Sequence, residues 1–273
     1  MKKITLFLAI FLFTLIIGNS VDAKSDKKFA PSSEDAFENS TYDVEGHPEL
    51  KLKVVVHYGK PTDKPGKPTP PSPTKVCAPS VLADPDSSAV TDNFGVTLPA
   101  TWRYRLNSKS APASIGPANL AIIASDAFGA WKSAVGDAAT FIKGDDTIIN
   151  RAQLDSQNII AWGRTSGSAL AVSYLWYYPA TGKMSEVDTI MNQKFTWAWS
   201  NPSEWPAGQT CAYDGVYDAQ DILTHEFGHT VGLNDEYDTA YANNTMYGYG
   251  SKGETKKDTL TTGDLAGVKT IYP

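Results

Sequence analysis

His225 and His229 lie four residues apart in the run His225-Glu226-Phe227-Gly228-His229-Thr230-Val231-Gly232-Leu233-Asn234-Asp235. Residues at that spacing share one face of a helix, so the two imidazoles can aim at a single point. Glu226 follows the first histidine, where a carboxylate can take a proton from water activated by a metal. Gly232 allows the backbone conformation that ends a helix, and the chain can then turn back to bring in Asp235 as a third ligand. Glu236 is the alternative third ligand. Two imidazoles and one carboxylate leave a coordination position open, as in a catalytic rather than a structural zinc site. The plainer reading is an amphipathic helix with two surface histidines. The chain has only four histidines, and two of them at this spacing weigh against it.

The histidines need a buried helix and a sheet to hold them. Leu223, Phe227 and Val231 recur every four residues, an apolar stripe that would bury the back of a helix running from about residue 216 into the motif. The histidines are offset from that stripe by roughly 200°. Upstream, Leu120, Ile123, Ala127, Trp131 and Val135 mark one face of a long helix over 117–135. Trp102, Tyr104 and Leu106 alternate with Arg103 and Arg105, which predicts a half-buried strand. Further strands are expected over 139–143, 159–162, 169–178 and 187–192. A long helix, several strands and then a second helix make an α+β chain.

The extended motif His225-Glu226-x-x-His229-x-x-Gly232-x-x-Asp235 resembles that of metzincin metallopeptidases, with aspartate replacing the usual third histidine, as in some secreted prokaryotic members. Asn244-Thr245-Met246-Tyr247-Gly248-Tyr249 is similar to the Met-turn, which places Met246 beneath the metal. The run 260–272 resembles the closing helix of matrixin-type catalytic domains. The segments 169–174 and 186–192 are similar to the strands that border the matrixin cleft. The resemblance implies a twisted mixed β-sheet with a long helix, a zinc helix, a Met-turn and a C-terminal helix. It implies one catalytic Zn2+, with Glu226 as general base and a peptide or protein as substrate. An extended peptide would pair with an edge strand at Ala169, Leu170 and Ala171, and Tyr249 would wall a side-chain pocket. Structural calcium is common among such enzymes, but no loop here has calcium-ligand spacing. Gly248 stands where some metzincins place a metal-binding tyrosine, and no histidines support a second zinc.

Composition narrows the alternatives. A net charge of −6 argues against a nucleic-acid partner. Lys2 and Lys3 precede an apolar run over 4–17, and a small-residue pattern ends at Ala23. This predicts a secretory signal over 1–23, no other membrane span, and a secreted or extracellular monomer. Residues 24–60 form a polar segment ending in a strand over 50–58. In that strand His57 reads as a surface or packing residue rather than a ligand. A Pro-rich linker occupies 61–95, and the catalytic domain 96–273. Cys77 and Cys211 are expected to pair in an oxidising compartment. The alternative for Cys77 is a thiolate plug on the metal, although its surroundings lack the arginine and glycine of the matrixin switch. Tyr174, Trp176, Tyr177, Tyr178, Trp197, Trp199 and Trp205 suit sheet packing. They also allow the competing reading of a secreted adhesin or carbohydrate binder with a structural or vestigial zinc site.

Overall fold

The computed structural model describes residues 40–60, 73–165 and 167–273. The expected signal over 1–23 and most of the Pro-rich run lie outside the described residues. Among those described, no helix is long and apolar enough to cross a membrane.

The strands are β1 (Ser40–Asp43), β2 (Lys51–Gly59), β3 (Lys75–Pro79), β4 (Thr101–Leu106), β5 (Thr140–Lys143), β6 (Asn158–Gly163), β7 (Ala169–Tyr178), β8 (Lys183–Asn192), β9 (Trp197–Ala198), β10 (Gln209–Tyr213), β11 (Tyr217–Asp218) and β12 (Tyr249–Gly250). The helices are the short α1 (Ser80–Ala83), α2 (Pro117–Val135), α3 (Ala219–Thr230) and α4 (Thr262–Ile271). One sheet runs β1-β2-β7-β8-β6-β4-β5, with β12 paired to β2. The pairs β5-β4, β4-β6 and β6-β8 are parallel, whereas β8-β7, β7-β2 and β2-β1 are antiparallel. This is a mixed α+β fold, as the order of helices and strands in the sequence predicts.

Helices α2 and α3 pack on one face of this sheet. Pro117 starts α2 at a position where no backbone N–H is needed, and Leu120, Ile123, Ala127, Phe128, Trp131 and Val135 are all buried. Phe128 stacks on Phe227 with ring centroids 3.5 Å apart, and Trp131 Nε1 donates to Thr224 O at 2.7 Å, locking the helices together. The helix carrying the motif begins at Ala219, later than the apolar pattern suggests. Asp218 caps it by accepting from the N–H groups of Gln220 and Asp221, and this draws Tyr217 and Asp218 into a short parallel bridge with β9. Leu223, Phe227 and Val231 are buried as the stripe requires, but the opposite face is covered too, and every residue of α3 is buried.

The other face of the sheet holds a second apolar cluster, in which Leu52, Val54 and Val56 of β2 meet Val172, Tyr174 and Trp176 of β7. Strands β1 and β2 lie upstream of residue 61 yet belong to the same sheet as the strands of 101–192. Strand β8 begins at Lys183, four residues before its apolar run, because Gly182 (φ +59°) closes a hairpin that pairs Lys183 and Met184 with Tyr178 and Tyr177.

Cys77 and Cys211 sit opposite each other in the β3-β10 ribbon and form a disulfide. No thiolate remains there to reach a metal. The bond closes a sequence separation of 134 residues, so reducing it, or replacing both cysteines by serine, is expected to cost about 2–4 kcal/mol. A thermal melt unchanged by reduction would remove that role.

Glu186 and Asp188 on β8 fix the loop before β6. Glu186 accepts from the N–H groups of Asp155 and Ser156, and Asp188 from those of Gln153 and Ile159. Burial pushes the Glu186 carboxyl from 4.5 up to about 7, against the pull of those two N–H groups. Across that window the folded chain keeps a proton that the unfolded chain releases. Its contribution is therefore complete below about 4.5 and lost as pH rises through about 7. Glu186→Gln cannot ionise, so its stability relative to wild type should improve from pH 4.5 to pH 8 in urea melts. A gap that stays constant across that range contradicts the assignment.

Candidate metal centre

The end of α3 delivers the third acidic group. Gly232 adopts φ +106°, and a Cβ there would meet Val96 O at 2.4 Å, so both conformation and space require glycine. Leu233 N–H bonds back to Gly228 O and Asn234 N–H to Asp92 O, reversing the chain. Asp235 Oδ1 then lies 2.9 Å from His225 Nε2 and 3.4 Å from His229 Nε2. Glu236 points elsewhere, accepting from Asp92 N–H at 2.6 Å. The geometry therefore gathers Asp235, not Glu236, with the two histidines.

Each imidazole is oriented from behind. His225 Nδ1 lies 2.7 Å from Thr245 O, and His229 Nδ1 lies 2.9 Å from Leu233 O. A backbone carbonyl can only accept, so Nδ1 carries the hydrogen and Nε2 presents a lone pair. Tyr237 donates to Asp235 Oδ2 at 3.2 Å, leaving Oδ1 for the histidines. His225 Nε2, His229 Nε2 and Asp235 Oδ1 are all buried without a hydrogen-bond partner. Two imidazole nitrogens and a carboxylate oxygen this close need a shared proton or a metal cation between them. These three residues form a group that could hold a metal ion. The donor set, two nitrogens and one oxygen, suits zinc.

Glu226 is fully buried beside this group, and Ser173 of β7 donates to its Oε2 at 2.6 Å. Oε1 has no hydrogen-bond partner. Burial pushes the carboxyl up to about 7. Met246 packs against α3 at Gly228, where an added Cβ would meet its Sδ at 2.1 Å. The Met246 loop is a tight turn, with Tyr247 N–H bonded to Asn244 O. It is tied to the Asp235 segment by Glu236 N–H to Met246 O and Gly248 N–H to Glu236 O. Asp264 of α4 holds the turn from below, accepting from Thr245 N–H at 2.8 Å, Thr91 Oγ1 at 2.7 Å and Thr261 Oγ1 at 2.7 Å.

Residues 188–251 match the family model described as immune inhibitor A peptidase M6, catalytic domain. That span holds His225, Glu226, His229, Asp235 and Met246. The chain is a metallopeptidase, a hydrolase acting on peptide bonds. M6 metallopeptidases use zinc. No curated protein matches this metallopeptidase.

Strand β2 pairs with β7 over residues 169–171, and all three are fully buried. Of the two readings of His57, surface or packing, the structure shows the packed one. His57 is fully buried, its ring centroid lies 3.8 Å from that of His225, and its Nδ1 is 3.3 Å from Glu226 Oε1. His57, His225 and Glu226 form a second group that could hold a metal. Tyr249 is in β12, paired with Tyr58 of β2, and its ring packs on Tyr237. Sequence reasoning missed Ser173, Tyr237, Gly228 and Asp264. Of these, only Gly228, a glycine inside a helix, left a signal that could have found it.

Proposed function

We propose that this chain is a secreted zinc endopeptidase of metzincin architecture, in which His225, His229 and Asp235 hold the ion and Glu226 is the general base. The convergence of three partnerless buried donor atoms beside an oriented carboxylate carries this reading. The strand order β5-β4-β6-β8-β7 over two helices, Gly232 at the chain reversal, and Met246 under the histidines support the metzincin likeness. The sequence of the first 23 residues and the Cys77–Cys211 disulfide support secretion.

When bound, zinc supplies a Lewis acid that acidifies water and polarises a peptide carbonyl. Glu226 takes the proton of the attacking water on Oε1 and returns it to the leaving amine nitrogen as the C–N bond breaks. Ser173 holds Oε2, so the carboxylate keeps one rotamer through both transfers. Thr245 O and Leu233 O hold the imidazoles in the tautomer that presents Nε2.

The binding-module reading has less support. Trp176, Trp197 and Tyr174 are buried in the core, and the indole N–H groups of Trp199 and Trp205 bond to Gln220 and Ser200. These aromatics do not form a stacking platform for sugar. Zinc content and chelator-reversible cleavage of unfolded casein test the endopeptidase reading, measured on the chain both intact and cut within 61–72. A chain without stoichiometric zinc that cleaves nothing in either form overturns it.

A further inference from the structure

Strand β2 covers the β7 edge of the sheet beside the candidate metal centre. Without it, the sheet formed by 101–192 ends at β7, whose outer edge would carry free N–H and C=O groups. Strand β2 fills that edge antiparallel, from Lys51 opposite Tyr177 to His57 opposite Ala171 and Tyr58 opposite Ala169. On its other side Tyr58 and Gly59 pair with Tyr249 and Gly250, and Lys60 N–H bonds to Gly250 O. An extended segment is thus held by backbone bonds in a slot between β7 and the chain after Met246. Such contacts recognise main chain and tolerate many side chains, which is how an extended peptide is gripped.

The slot runs over the candidate metal centre. Ser173, which orients Glu226, is the β7 residue opposite Val55. Two residues further along β2, on the same face, His57 reaches Glu226 and the His225 ring. Both nitrogens of the His57 ring are buried without a hydrogen-bond partner, costly in an ordinary core. His225, Glu226 and His229 are consequently shielded from solvent completely. No peptide can reach them while β2 is in place. The Pro-rich sequence over 61–73 joins β2 to β3, and among the described residues β1 pairs with β2 alone, so β1 and β2 form the outer end of the sheet.

We propose that β2 is a built-in inhibitory strand: it occupies the peptide-binding slot of this metallopeptidase, and His57 blocks the base and the open metal position until β2 is removed. This rests on the endopeptidase reading above. The slot vacated between β7 and β12 is then the binding groove for an extended peptide.

The test replaces residues 64–69 of the full chain with a recognition sequence for a specific protease, cuts, and separates residues 1–60 by gel filtration. The cut chain should cleave unfolded casein at least 100-fold faster than the intact chain. A fluorescent peptide of residues 48–60 should bind the cut chain saturably and leave the intact chain untouched. The same peptide carrying His57→Ala should bind at least tenfold more weakly. Equal cleavage by intact and cut chains, or equal peptide binding by both, overturns the proposal. Unfolding of the cut chain, read by circular dichroism, also overturns it, since β2 is then an integral strand. Binding is read without catalysis. A cut chain that captures the peptide but cleaves nothing keeps the inhibitory strand and rejects the endopeptidase reading.

Discussion

Glu226→Gln is expected to abolish casein cleavage by the β2-released chain, lowering kcat by about 10²–10⁴-fold, while zinc content stays at one per chain. The amide has the size of the carboxylate, and its oxygen can still accept from Ser173, so the fold, His225, His229 and Asp235 stay in place. What it loses is the capacity to accept a proton on the atom that Ser173 leaves free. A purely structural zinc would need no carboxylate there, so this substitution separates the two roles. Cleavage within tenfold of wild type, with zinc bound, would remove Glu226 as the base.

The second large effect lies below the centre. Asp264→Ala removes the acceptor shared by Thr245 N–H, Thr261 N–H and the hydroxyls of Thr91 and Thr261, all buried. Leaving buried donors unpaired should cost about 3 kcal/mol or more. That corresponds to a drop in Tm of roughly 6–12 °C for a domain of this size. Because Thr245 O also orients His225, zinc affinity should fall by about 10–100-fold. The two readouts are a thermal melt and competitive zinc titration against a chelating dye. A variant with unchanged zinc affinity would show that Asp264 acts on stability alone.

Much of this was legible because it is local. Strands β4, β6 and β7 read out through alternation and β-branched content, and α2 through its apolar face. The capped end of α4 was less so: the helix starts at Thr262, where Thr261 and Asp264 form a capping box, two residues into the run 260–272 whose resemblance implied a closing helix. The early start of β8 was hidden because Lys183-Met184-Ser185-Glu186 carries no strand pattern. Only pairing with β7 makes it extended.

The amino-acid sequence by itself determined the placement of His225, Glu226 and His229, since a helix of 3.6 residues per turn fixes which side chains converge, and it placed a glycine where the chain must reverse. Tertiary structure alone decided the rest. Ser173 reaches Glu226 across 53 residues and Thr91 reaches Asp264 across 173, and no periodicity encodes contacts between residues so far apart in the chain. The same holds for β2. Its residues announce a strand, but a strand's backbone pairs with any free edge, so only the folded sheet reveals that the edge it covers is the one over the metal centre.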